Sequence, residues 1–153
     1  MKKEGYNKMR KYILISLGGV FGAVLRYIIR NIPTDYYSGN IPLNTLAINI
    51  IGSFVLALVL TGANEVFKLD ADLKLGITAG FIGAFTTFST LCKETVSLLS
   101  NSAYLSAFSY VVLSALLGIT AAYLGVVLER TAVRFINKNK NNTNSNPVDE
   151  QEE

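Results

Sequence analysis

Gly83-Ala84-Phe85-Thr86-Thr87-Phe88-Ser89-Thr90-Leu91 lies inside a run of 18 residues without a charge, Leu75 to Cys92, bounded by Lys74 and Lys93. A run of that length crosses the hydrocarbon core of a bilayer when helical. Its middle is nevertheless a poor helix former, because Thr86 to Thr90 carries four hydroxyl residues, three of them β-branched threonines. Backbone that leaves the helix at membrane depth persists only where protein or a polar cavity surrounds it. A break at this stretch would expose carbonyls that an ion could use. At helical spacing Gly76, Gly80, Gly83, Thr87 and Thr90 share one stripe and Phe81, Phe85 and Phe88 another. For the glycines alone, close helix packing is the first reading.

The charges outside this run set the rest of the fold. Residues 1 to 11 and 129 to 153 hold 15 of the 25 charges, and the 117 residues between them hold 10. A middle so poor in charge points to lipid as its solvent. The expectation is an all-α integral membrane protein with four transmembrane helices at about 12–29, 41–63, 75–100 and 103–128, the third broken in mid-span. Thr95 to Leu128 is uncharged for 34 residues, too long for one span, and Ser100-Asn101-Ser102 is the natural break within it. Residues 1–11 form a basic N-terminus. Residues 129–153 form a charged tail, Asn-rich beyond Asn137 and acidic at its end, expected to be disordered. Arg26 and Arg30 stand where a signal peptide would need small residues for cleavage, which argues for a retained first span.

Several functions are excluded by what is missing. With no histidine and a single cysteine, Cys92, the chain lacks the usual general base, the commonest metal ligand and any internal disulfide framework. No enzyme is expected. The net charge of +3 comes from the two ends and builds no basic groove for nucleic acid. Proton-coupled exporters and cation channels generally need a carboxylate within the membrane. No Asp or Glu is expected inside any of the four spans, so a path through them would favour anions.

Neutral donors line such a path. Thr45, Asn49 and Ser53 follow one another at four-residue intervals in the second span, and Tyr110 and Ser114 do so in the fourth. Each alone reads as glue between helices, worth about 1 kcal/mol. Three helices that each carry a polar line favour a track.

Three blocks resemble the CrcB or Fluc fluoride-channel family: Gly18-Gly19-Val20-Phe21-Gly22-Ala23-Val24-Leu25-Arg26-Tyr27, then Asn44-Thr45-Leu46-Ala47-Ile48-Asn49-Ile50-Ile51-Gly52-Ser53-Phe54, then the stretch from Gly83 to Leu91. The resemblance covers about Lys11 to Leu128, and the T-T-F-S-T core is its most specific part. It implies four-span subunits paired antiparallel, two fluoride pores, and one structural sodium ion (Na+) held by main-chain oxygens at the dimer centre. By matching positions, Asn49 would be a mid-pore amide donor and Phe88 an aromatic whose ring edge meets fluoride. Thr45, Ser89, Thr90, Tyr110 and Ser114 would supply hydroxyls, Arg26 would stand at the pore vestibule, and Gly83 and Thr86 would hold sodium. Two positions depart from the family pattern: Ala84 replaces a glycine, and Leu91 replaces a phenylalanine with a side chain that has no ring quadrupole.

The implied function is fluoride export from the cytoplasm across the cell membrane, down the electrochemical gradient, which protects against fluoride toxicity. A small four-helix multidrug or cation antiporter and a non-transporting membrane scaffold are the alternatives. With the N-terminus inside, eleven of the fourteen lysines and arginines fall on the inner side and only Arg26, Arg30 and Lys93 on the outer. Such a bias fixes one orientation, with both termini cytoplasmic. The antiparallel partner is then expected to be an oppositely oriented paralogue, with self-pairing as the alternative.

Overall fold

A computed structural model describes residues 2–33, 39–65 and 69–144, and among them there are helices and no strands. Helix α1 (Lys2–Arg30) is followed by α2 (Leu43–Glu65) and α3 (Ala71–Leu75). A π-helical run, Gly76–Ile82, then leads into the single turn α4 (Gly83–Phe85). After that come α5 (Phe88–Ser100) and α6 (Tyr104–Asn144). Four stretches are long and apolar enough to cross a membrane: Met9–Arg30, Leu43–Ala63, Ala71–Ser100 and Tyr104–Phe135. The protein is multi-pass and helical.

The helix ends follow from local chemistry. Pro33 stands just beyond the end of α1, where a ring without an N–H cannot continue the helix. The Pro42 carbonyl accepts the first bond of α2, from Leu46 N at 3.2 Å. Helix α5 closes in a Schellman motif, with Ser102 N on Leu99 O at 3.0 Å and Ala103 N on Leu98 O at 2.9 Å. The residue at its left-handed position, normally glycine, is Ser102 at φ 58°. Leu98 and Ala103 pack in one buried cluster with Leu46 and Tyr110, which completes the motif's hydrophobic contact.

Helix α1 lies along the π-helical run, and α2 lies along α6. Both pairings are backbone-close. A Cβ on Gly80 would come within 2.6 Å of the Ile15 carbonyl, and one on Gly22 would strike the Phe81 carbonyl. On the other side of the bundle a Cβ on Gly125 would reach 2.7 Å from Phe54 O. At one end, Arg10 of α1 pairs with Asp70 at 2.8 Å, just before α3.

The glycine stripe of the third span divides. Gly76 and Gly80 face Leu14 and Ile15 of α1, whereas Gly83 is exposed and meets nothing closer than Thr78 O at 3.7 Å. Bonding from residue i to i+5 puts more residues in each turn, so the register drifts away from the spacing of an α-helix. The aromatic stripe divides too: Phe81 and Phe85 stack with centroids 6.0 Å apart, and Phe88 stands apart at 79% exposure. The charged tail differs from expectation in its first part, since α6 continues unbroken to Asn144. Only two prolines precede it in the described chain, and residues 129–144 contain neither proline nor glycine to stop a helix. The acidic end, 145–153, lies outside the described residues.

Candidate functional site

The backbone leaves the helix at two consecutive residues, Thr86 (φ −74°, ψ 157°) and Thr87 (φ −150°, ψ 105°). Thr86 still closes the turn before it, with its N–H on Ile82 O at 2.9 Å and its hydroxyl on the same oxygen at 3.0 Å. Thr87 starts the next helix as its N-cap, its Oγ1 accepting from Thr90 N at 3.2 Å and donating to Thr90 Oγ1 at 2.9 Å. Ser89 Oγ lies 3.3 Å from the same oxygen. The β-branched hydroxyl residues thus serve the ends of two short helices better than the middle of one.

Asn49 braces this interruption from α2. Its Oδ1 accepts from Thr87 N at 2.9 Å and its Nδ2 donates to Thr87 O at 3.2 Å. Thr87 N–H would bond the Gly83 carbonyl in a continuous helix, so the side chain of Asn49 takes the donor that Gly83 O loses. An amide has two N–H donors, and one is used here. Beside the break a groove of about 440 Å³ is lined by Asn49, Ser53, Gly83, Thr86, Thr87, Phe88, Leu91 and Ser114, among others. Leu91 also packs against the buried cluster around Tyr110, so the aliphatic substitute faces the groove and the core together.

Thr45, Glu94 and Tyr110 form a separate hydrogen-bonded cluster. Thr45, 1% exposed, donates to Glu94 Oε1 at 3.0 Å. Tyr110, fully buried, donates to Glu94 Oε2 at 2.8 Å. Ser114 donates to the Tyr110 carbonyl at 2.7 Å and Ser53 to the Asn49 carbonyl at 2.8 Å, so both serine protons are engaged one turn back. A second cavity of about 320 Å³ lies beyond, lined by Arg30, Asn40, Asn44, Thr45 and Glu94 among others.

The expectation of no membrane carboxylate is corrected by Glu94. The third spanning stretch runs to Ser100, beyond the charged pair Lys93-Glu94 at which the uncharged run ends. Two hydroxyl donors and a guanidinium, Arg30 Nη2 at 3.9 Å, offset the cost of its charge there. Its position was legible in one respect: Glu94 follows Thr87 and Thr90 at seven and four residues on the same helix face. Of the anticipated residues, the structure gathers Asn49, Ser89, Thr90, Ser114, Gly83 and Thr86 around the break and the groove, and Thr45 and Tyr110 on Glu94. Phe88 lines the groove and is largely exposed. Arg26 is partly exposed on α1, and the arginine beside the hydroxyl cluster is Arg30, one turn later.

The profile of the family described as CrcB-like protein, Camphor Resistance (CrcB), matches residues 13–126. The chain belongs to the CrcB family. CrcB relatives cover most of its length. A protein of Thermosipho melanesiensis named fluoride-specific ion channel FluC is 40% identical over 121 residues, 78% of this chain and 96% of the relative. One of Dehalococcoides mccartyi with the same name is 37% identical over 120 residues, 78% of this chain and 92% of the relative. Fluoride-specific ion channel FluC 1 of Bacillus anthracis is 41% identical over 122 residues, 78% of this chain and 89% of the relative. The matched region of the CrcB chain contains the helix break, the groove and Glu94.

Proposed function

We propose that this chain is one subunit of a fluoride-selective channel that lets fluoride leave the cytoplasm passively. The observation that carries the reading is the convergence of two hydroxyl donors, Thr45 and Tyr110, on the anionic oxygens of Glu94 inside a membrane domain. Those oxygens stand in for the kind of hard, small anionic acceptor that fluoride is. Asn49, which lines the groove with one amide hydrogen unused, and Ser89 and Thr90 at the break add neutral polar groups, and such groups replace an anion's water without trapping it by a fixed charge. Phe88, exposed among the groove's lining residues, has a ring edge where the quadrupole is positive. A membrane potential of about 100 mV, negative inside, drives each anion outward by about 2.3 kcal/mol. The relatives' names and the family membership point the same way.

The groove is open in one chain, and an antiparallel partner closes it. The lysine and arginine bias puts both termini in the cytoplasm, so the partner is an oppositely oriented paralogue. Leu91, at a groove position where the family carries an aromatic, fits a pore completed by the other subunit. Main-chain oxygens at Gly83 and Thr86 suit a structural sodium ion, because Gly83 O has lost its helical donor to Asn49 and hard cations choose such oxygens.

The test is fluoride-electrode efflux from liposomes, with this chain alone and with candidate paralogues, and chloride as control. Fluoride release without chloride release is expected with a partner present. No fluoride release under any pairing overturns the channel reading. Full release from the chain alone overturns the paralogue.

A further inference from the structure

Glu94 sets a problem for an anion path, because an unpaired carboxylate at its mouth repels what the path must accept. The nearest cation is Arg30, the last residue of α1, and its relation to Glu94 is unusual. Nη2 stands 3.9 Å from Oε1, too far for a hydrogen bond, while the two carboxylate oxygens already accept from Thr45 and Tyr110. The Arg30 side chain is half exposed, against 20% for the Glu94 side chain. Arg10 behaves differently, committed to Asp70 at 2.8 Å. Arg30 therefore offsets the charge of Glu94 while its planar fork of donors stays available.

Its place is set from α2. Asn44 Nδ2 donates to Arg30 O at 3.0 Å and to Ile32 O at 2.9 Å, using both amide hydrogens on the carbonyl end of α1. Asn44 directly precedes Thr45 in the chain, so one helix start fixes both the arginine and the first hydroxyl of the cluster. All four side chains line the same cavity of about 320 Å³.

We infer that Arg30 is the anion-recruiting residue of this mouth, drawing fluoride into the cavity in front of Thr45 and Glu94, and that Asn44 is the positioning residue that holds it there. The inference rests on the fluoride-channel reading. It assigns a role to two side chains that the reading itself does not use.

The experiment measures fluoride efflux from liposomes for wild type, Arg30→Gln, Arg30→Lys and Asn44→Ala, each paired as wild type requires, at low and high concentrations of an inert organic-anion salt. Arg30→Gln should lower efflux about tenfold at low salt, with the deficit shrinking as the Debye length falls. Arg30→Lys should retain most of the rate. Asn44→Ala should show a smaller, equally salt-dependent loss, and combined with Arg30→Gln it should add nothing. Wild-type efflux from Arg30→Gln at low salt overturns the inference, as does a loss that ignores salt or is equal in Arg30→Lys. If wild type itself releases no fluoride, the channel reading falls and this one with it; a conducting wild type beside an equally conducting Arg30→Gln sinks this inference alone.

Discussion

The side-chain amide of Asn49 pairs with the backbone of Thr87 as a neighbouring strand would, accepting its N–H at 2.9 Å and donating to its carbonyl at 3.2 Å. One residue of α2 thereby takes the N–H that the broken helix leaves open and adds a second bond to the Thr87 carbonyl, which as N-cap already heads the ladder of α5. In a membrane domain no water is at hand to do so.

Replacing Asn49 by leucine should strand the Thr87 N–H. Each unsatisfied buried group costs about 1–3 kcal/mol, so the variant should melt earlier in detergent and release fluoride far more slowly. A variant with wild-type melting and wild-type efflux would show that the pairing carries no weight.

Thr87→Ala removes the N-cap of α5, at a cost of about 1 kcal/mol, whereas Thr87→Ser keeps the accepting oxygen. The serine variant should therefore stay close to wild type in thermal stability and the alanine variant should not. Equal losses in both would point to the β-branched methyl and away from the cap.

The glycines of α1 offer a paired comparison. An added methyl at Gly22 meets the backbone carbonyl of Phe81, which cannot move aside cheaply, while one at Gly19 comes no nearer than 4.0 Å to Gly80 O. Gly22→Ala should reduce the yield of folded protein or its melting temperature, and Gly19→Ala should be tolerated. Overpacking of this kind typically costs about 1–3 kcal/mol.

Ser102 holds a left-handed conformation that costs a residue with a Cβ about 1–2 kcal/mol. Ser102→Gly removes that cost and loses part of it again to the freedom of glycine in the unfolded chain. A net gain of about 0.5–1 kcal/mol is expected, read as a higher melting temperature. A fall would mean that the serine side chain contributes there.

Removing sodium exhaustively from the reconstituted protein should lower fluoride efflux slowly or weaken the subunit pairing, and potassium should not replace it. Unchanged flux and pairing after such removal would argue against an ion at Gly83 and Thr86.

By itself the sequence determined that this chain crosses a membrane four times, because the absence of charge over some 20 residues is a local property that any bilayer reads in the same way. It also marked Thr86 to Thr90 as a place where a helix would fail, since propensity is local too. What the third span would do with its glycines was not legible, because the register drifts through the π-helical run Gly76–Ile82, where Gly76 and Gly80 meet the backbone of α1. Of Glu94 only the helix face was legible; its charge lies at the boundary of an uncharged run, and its partners Thr45, Tyr110 and Arg30 stand 49, 16 and 64 residues away along the chain. A carboxylate is tolerated at such depth only when partners on other helices meet it. Partners far apart in sequence come together only when the helices pack, and so the tertiary structure alone decided where the polar track begins.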